Sequence, residues 1–300
     1  NIELVRNGVT LGYKSFIFPG GEIGIKLDVE KSTAFVAETG FFERNNMPIN
    51  ITARLQNSND IMELLLLVDA LDQLGPKYHF ARRLIIPYCP YSRQDRVCVN
   101  GESFSLGVFA ALINRLHYFV EVITFDPHSL VTEAIFNRLK VFTQKNIISR
   151  FDNFSIRILR QDGIPVRFLS PDAGANKKTA EIAKYFSHSD FVRADKKRNL
   201  ATGEIIETII YCDDFEGDDV CVVDDICDGG MTYIKLAEAA KKKNCGKFIL
   251  YVTHGIFSKG VDVLFNAGID EIWTTNSYKE EYDPRVKVFD IETILRNYIK

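Results

Sequence analysis

The chain has 300 residues, enough for two domains of ordinary size that each bury a core. Apolar residues make up 46% and charged residues 26%, the balance of a folded globular protein rather than a disordered one. A net charge of -3 provides no basic field for nucleic acid or an anionic membrane, so neither is an expected partner.

Uninterrupted apolar runs stay well short of the roughly 18 residues of a membrane-spanning helix. Residues 1–12 show no basic-then-apolar leader pattern, so a cytoplasmic protein is expected. The cysteines, Cys89, Cys98, Cys212, Cys221, Cys227 and Cys245, form no Cys-x-x-Cys pair, which fits reduced thiols better than staples or a zinc site.

Short β-branched or apolar runs alternate with longer amphipathic stretches along the chain. Strands are expected at 15–18, 32–36, 83–87, 119–125, 166–169, 190–193, 220–223, 248–253 and 271–275. Helices are expected at 57–74, with Asn59 or Asp60 as cap, at 103–117, at 232–244 and at 291–300. Strands alternating with helices of ten to fifteen residues imply an α/β protein with mostly parallel sheets and right-handed crossovers. The pattern runs twice, and the polar stretch 143–153 separates the two series, giving expected domains at 1–148 and 149–300. Two similar α/β domains would place a ligand cleft where their strand ends face each other.

The clearest chemical feature is the segment from Val220 to Thr232. An apolar strand runs into Asp224 and Asp225, followed by Asp228, Gly229, Gly230, Met231 and a helix starting near Thr232. A turn that opens a helix presents free backbone N–H groups, and the helix dipole favours an anion there. Two glycines allow close approach of the backbone to a phosphate, and the carboxylates can hold ribose hydroxyls. The plain alternative is a strand with polar ends and a tight turn. The co-occurrence of a buried-looking strand, three acids, two glycines and a threonine favours the phosphate loop.

A second feature runs from Arg83 to Arg96, an apolar strand ending in a loop with paired tyrosines, Arg93, Gln94, Asp95 and Arg96. Arginine binds phosphate through its planar fork and stacks on a base, while Gln94 and Asp95 can hydrogen-bond base or ribose.

These segments resemble two signatures of one family, the ribose-phosphate diphosphokinases. Tyr88 to Arg96 is similar to its Pro-Tyr-x-x-Tyr-(Ala/Ser)-Arg-Gln-Asp-(Arg/Lys) signature, and residues 60–71 resemble the family's preceding helix. Simple phosphoribosyltransferases lack both segments. The second loop resembles Asp-Asp-x-x-Asp-Thr-(Ala/Gly)-Gly-Thr. Asp224, Asp225, Asp228 and Thr232 match, and Gly229 and Met231 depart from it.

Other positions follow in the family's order. The Phe18 to Glu22 turn resembles a turn whose aromatic ring stacks on adenine and whose glutamate fixes the base, although Gly20 stands where aspartate is common. Phe125 to Ser129 resembles a segment whose histidine binds the magnesium carried by ATP, which implies that role for His128. Ser170 to Gly174 resembles a turn that implies Asp172 lies near metal and ribose. Ala194 to Arg198 resembles Asp-Lys-Arg-Arg, which implies that Lys196 and Arg198 stabilise the transferring phosphoryl group, before a flap-like loop at 199–205. Residues 97–105, basic in the family, contain no lysine or arginine here.

The resemblance spans about 15 to 295 and implies two tandem phosphoribosyltransferase-like domains, the first binding ATP and the second the ribose phosphate. It implies transfer of the β,γ-diphosphate of ATP to the C1 hydroxyl of ribose 5-phosphate, with Mg2+, in a homo-oligomer. The changed phosphate loop makes ADP-ribose a rival acceptor in the same chemistry. A non-catalytic regulatory homologue and a phosphoribosyltransferase are the readings of other kinds.

Overall fold

The computed structural model of the protein describes residues 2–6, 8–28, 48–74, 81–159, 166–187, 191–198 and 205–299, except for the side chains of residues 156, 197, 198 and 205–207. The strand expected at 32–36, and all but the last residue of the loop expected at 199–205, lie outside them. The chain divides into two compact units, Asn1–Phe142 and Thr143–Lys300.

The first unit begins with β1 (Ile2–Arg6), β2 (Val9–Thr10) and an antiparallel hairpin of β3 (Tyr13–Ile17) and β4 (Ile23–Leu27). It continues through β5 (Ile49–Ala53), α1 (Ser58–Gln73), β6 (Arg82–Ile85), α2 (Ser105–Asn114), β7 (Phe119–Phe125), α3 (Val131–Ile135) and β8 (Leu139–Phe142). The main sheet has the order β2-β1-β5-β6-β7-β8, parallel from β5 to β8 and antiparallel at the β1 edge.

Helical spacing puts Ile61, Leu64, Leu67, Val68 and Leu71 on the buried face of α1. Its cap is Asn57, not Asn59 or Asp60 as expected. Asn57 keeps extended dihedrals, and its side chain accepts from the Asn59 and Asp60 N–H groups at 2.9 and 3.1 Å. Asp60 reciprocates by accepting the Gln56 and Asn57 N–H groups, closing a capping box.

The second unit opens with α4 (Gln144–Ile148) and α5 (Asp152–Leu159), followed by β9 (Val166–Ser170), α6 (Asn176–Tyr185), β10 (Val192–Arg198) and β11 (Ile205–Ile210). Then come β12 (Asp219–Cys227), α7 (Met231–Lys242), β13 (Phe248–Gly255), α8 (Asp262–Phe265), β14 (Glu271–Thr275), β15 (Val286–Phe289) and α9 (Glu292–Tyr298). The sheet has the order β11-β10-β9-β12-β13-β14-β15, parallel except for the β10–β11 edge pair.

Its central strands are buried on both faces, which is why they read as unbroken apolar runs. Val220 and Val222 join Phe248, Leu250 and the α7 residues Leu236 and Ala237 in one core cluster. Cys221 and Val223 point the other way, into a cluster with Phe151, Phe154 and Ile158 around α5 and Ile182 and Ala183 of α6.

Two expected boundaries are corrected. Strand β12 does not stop at Val223 but carries Asp224 and Asp225 within it, because its ladder with β13 continues through Asp224↔Val252 to Cys227↔Gly255. Lys196 and Arg198 do not follow a strand but sit inside β10, because pairing with β11 extends it, with Lys196 opposite Thr208.

Candidate active site

While Phe18 and Glu22 lie apart on the antiparallel β3–β4 hairpin, the Arg93–Arg96 loop follows β6, His128 follows β7, Asp172 follows β9, and Asp224 and Asp225 lie toward the carboxyl end of β12, where open α/β sheets bind their ligands. The second unit also has a topological switch point there. From β9 the chain passes to β10 on one side, then returns to β12 on the other.

Asp172 follows β9 and caps a single 3-10 turn, its Oδ1 accepting the Ala175 N–H at 3.1 Å. Its Oδ2 lies 2.6 Å from Nζ of Lys196, whose side chain is only 8% exposed. Burial opposes the Asp172 charge, but the Lys196 hydrogen bond and charge, with the Ala175 and Gly174 N–H groups, hold its pKa below the ordinary value. The structure thus joins two residues placed in the site on separate sequence grounds. Arg198 shares the strand with Lys196, two residues further on.

Asp224 and Asp225 project at the end of β12. Oδ1 of Asp224 accepts the Asp225 N–H at 2.9 Å, and its Oδ2 lies 2.9 Å from the hydroxyl of Tyr233. That hydroxyl also lies 2.7 Å from the Ile226 carbonyl. Desolvation first, then the charge of Asp225 and a side-chain hydrogen bond to it, push the Asp224 pKa up to about 8. Asp225 is buried, its Oδ1 accepts the Ile226 N–H at 2.8 Å, and Lys178 Nζ stands 3.6 Å from its Oδ2. Gln144 fixes the same strand end by donating to the Asp224 carbonyl at 2.6 Å.

The loop then turns through half-buried Asp228 and Gly229 to Gly230, the N-cap of α7, where Met231 is 47% exposed and Thr232 half-buried. Gly230 has φ +78°, and a Cβ there would come within 2.6 Å of Leu264 Cδ2 in the core. Gly230→Ala is therefore expected to destabilise the protein by about 2–4 kcal/mol, from left-handed strain and overpacking. Denaturant midpoints measure the loss, and combining it with Leu264→Ala is expected to relieve the steric part.

In the first unit, the loop after β6 carries Arg93, Gln94, Asp95 and Arg96. Gln94 is anchored by its N–H on Tyr91 O at 2.8 Å and by the Ser105 hydroxyl donating to its Oε1 at 2.6 Å. Arg96 grips Asp95 through two hydrogen bonds of 2.7 and 2.8 Å. These Arg96 bonds chiefly hold the Asp95 pKa well below the carboxylate range, against desolvation, with help from the Ser129 hydroxyl and the charges of Arg96 and His128. Asp95 thus links its loop to the turn after β7 that carries His128. Phe18 and Glu22 occupy the exposed tip of the β3–β4 hairpin, where Phe18 N–H donates to Glu22 O at 2.8 Å and the ring meets Phe16 edge-on. In the loop without basic residues, Glu102 accepts the Cys98 and Val99 N–H groups at 2.8 and 3.2 Å.

Sequence reasoning missed Lys178, Tyr233 and Gln144. Tyr233 sits on a helix that reads as an amphipathic surface, Gln144 opens a helix in the polar stretch expected to separate the domains, and Lys178 lies on a helix not expected from the pattern; only packing on the sheet brings each to an aspartate. Among the described residues, no group of three or more His, Cys, Asp or Glu side chains could hold a metal ion, and no helix is long and apolar enough to cross a membrane.

No protein-family model matches the chain. It is 29% identical over 264 residues to a ribose-phosphate pyrophosphokinase of Thermococcus kodakarensis, covering 87% of this chain and 83% of the relative. The corresponding protein of Pyrococcus furiosus is 28% identical, with 87% and 84% covered, and that of Pyrococcus abyssi 27%, with 93% and 88% covered. The crystal structure of phosphoribosylpyrophosphate synthetase from Mycobacterium smegmatis superposes with a TM-score of 0.76 at 19% identity, over 97% of this chain and 90% of that one, and shows the fold. Two α/β units, the motifs in order and relatives matched over most of their length lead to one conclusion: the chain is an enzyme similar along most of its length to the ribose-phosphate pyrophosphokinases, a family of diphosphotransferases.

Proposed function

We propose that this protein transfers the β,γ-diphosphate of ATP to the C1 hydroxyl of ribose 5-phosphate, forming phosphoribosyl diphosphate and releasing AMP. The observation that carries this reading is the set of groups on the three adjacent strand ends of β10, β9 and β12. Lys196 supplies a shielded cation, Asp172 its ionised partner, and Asp224 and Asp225 a pair of carboxyl groups before a helix N-terminus.

Phosphoryl-type transfer asks the protein mainly to align the reactants and stabilise charge. Asp224 and Asp225 hold the ribose hydroxyls and aim C1 at phosphorus. The N–H groups opening α7 receive the 5-phosphate. Lys196 and Arg198 stabilise the charge that builds on the β-phosphate and on the leaving oxygen. In the first unit, Phe18 and Glu22 take the adenine, and Arg93, Gln94, Asp95 and Arg96 take the rest of the nucleotide.

Mg2+ is expected to arrive on the nucleotide, and it prefers substrate phosphates plus one or two carboxylates to a dedicated cage. The residues fit that mode. In the second unit Asp172 is held ionised with its side chain 40% exposed; in the first unit His128 lies on an exposed turn and could meet the ion carried by the nucleotide. The ion would supply Lewis-acid neutralisation of the phosphate oxygens.

A second acceptor, ADP-ribose, is favoured by Gly229, which takes a side-chain hydroxyl from the loop, and by the exposed Met231, which puts an apolar side chain where the signature has glycine. Incubation with ATP and each acceptor, with the products weighed, decides between them. Release of AMP with either one rules out a non-catalytic homologue. Absence of AMP with both rules out the diphosphokinase reading.

A further inference from the structure

The turn after β13 is fastened to the start of the phosphate loop. The Ile256 and Phe257 N–H groups both donate to the Cys227 carbonyl, at 2.9 and 3.0 Å, and the Gly260 N–H closes the turn on Phe257 O at 2.9 Å. Positive φ values at Phe257 (50°) and Gly260 (75°) fix the direction of the chain. Lys259 rides on this turn. Its stem crosses the face of Gly229, where a Cβ would lie 3.6 Å from Lys259 Cε and 3.8 Å from Cδ. Lys259 is exposed, and among the described residues no carboxylate forms an ion pair with its ammonium.

Glycine at 229 leaves that lane open. A single Cβ would make ordinary contact with the lysine stem, but the two further atoms of a β-branched side chain would have to displace it. Gly229 and Lys259 therefore form a complementary pair. The loop lacks a side-chain hydroxyl at 229 and has the cation of Lys259 beside it.

We propose that Lys259 is a specificity-determining residue of the acceptor loop, its ammonium reaching past Gly229 to the phosphate on the sugar's 5-position. This rests on the acceptor reading above and deepens it. A lysine ammonium is a mobile point charge, so it tolerates a phosphate displaced toward solvent better than a fixed hydroxyl does. The acceptor it selects is one whose 5-substituent is anionic.

The test uses the full chain with Lys259→Met, which keeps the aliphatic cover on Gly229 and removes the charge. Loss of one charge-assisted hydrogen bond is expected to raise KM for ribose 5-phosphate on the order of ten- to a hundredfold, with kcat and the KM for ATP nearly unchanged. Salt is expected to weaken acceptor binding less in this variant than in the parent. Lys259→Arg is expected to restore most of the affinity. Gly229→Thr is expected to weaken binding in the parent by displacing the lysine, and to weaken it little further in Lys259→Met, where no ammonium remains to be displaced.

Calorimetric binding of ribose 5-phosphate separates this proposal from the assigned reaction. Binding by the parent that is lost in Lys259→Met supports the role of Lys259 even if no AMP is ever released. Equal binding by both overturns it even if AMP is released.

Discussion

Replacing Lys196 with alanine is expected to lower turnover by more than about a hundredfold, corresponding to roughly 3 kcal/mol of transition-state stabilisation, while ATP still binds. The side chain is almost fully buried, its ammonium is 2.6 Å from Asp172, and the charge is therefore screened far less than on an open surface. Its backbone is held in the β10–β11 ladder opposite Thr208, so alanine there leaves the strand in place. Denaturation midpoints close to those of the parent are expected to confirm that the loss is chemical.

The variant also has a pH signature. Asp172 loses the hydrogen bond and the charge that hold its pKa down, so its protonation moves to higher pH. Any acid limb of the rate profile that reports Asp172 should shift upward with it. Near-normal turnover at neutral pH would remove Lys196 from the chemistry.

Replacing Asp224 with asparagine is expected to stabilise the folded protein at alkaline pH while weakening acceptor binding. The pKa of Asp224 is raised to about 8 in the folded protein, chiefly by desolvation and then by Asp225. Between the ordinary carboxylate value near 4 and about 8, the folded state holds a proton that the unfolded chain has released. Stability contributed by this group therefore falls as pH rises through that window and stays low above it.

Asparagine is nearly isosteric and neutral, and it can still accept the Asp225 N–H and meet the Tyr233 hydroxyl. The gain should be absent near pH 4, grow toward pH 8 and reach on the order of a few kcal/mol, read as a pH-dependent rise in denaturation midpoint. A gain that is constant with pH, or a loss at pH 9, would refute the assignment of the raised pKa to Asp224. The same variant removes an ionisable group from the proposed ribose grip, so a rise in acceptor KM at every pH is expected beside the gain in stability.

The amino-acid order alone determined the double α/β pattern and the chemistry-bearing loops. Val220 to Val223 and Phe248 to Thr253 are legible because central parallel strands are buried on both faces and show as unbroken apolar runs. The Arg93–Arg96 and Asp224–Thr232 loops are legible because phosphate recognition needs particular residue types in a fixed local spacing. Strand β5 is not legible in the same way. Ile49–Ala53 is short and includes Asn50 and Thr52, and it becomes a central strand only because β1 and β6 pair on either side of it.

Tertiary structure decided where elements end and which charges meet. Asn57 rather than Asn59 or Asp60 caps its helix because dihedral angles, not residue type alone, choose among neighbouring polar candidates. Asp224, Asp225, Lys196 and Arg198 lie inside strands because ladders formed with β13 and β11 outrun the local apolar pattern. The pairing of Lys196 with Asp172, of Tyr233 with Asp224, and the placement of Lys259 over Gly229 join residues far apart along the chain or on different elements. Local periodicity carries no information about such contacts, because they depend on strand order and on how each helix packs against the sheet.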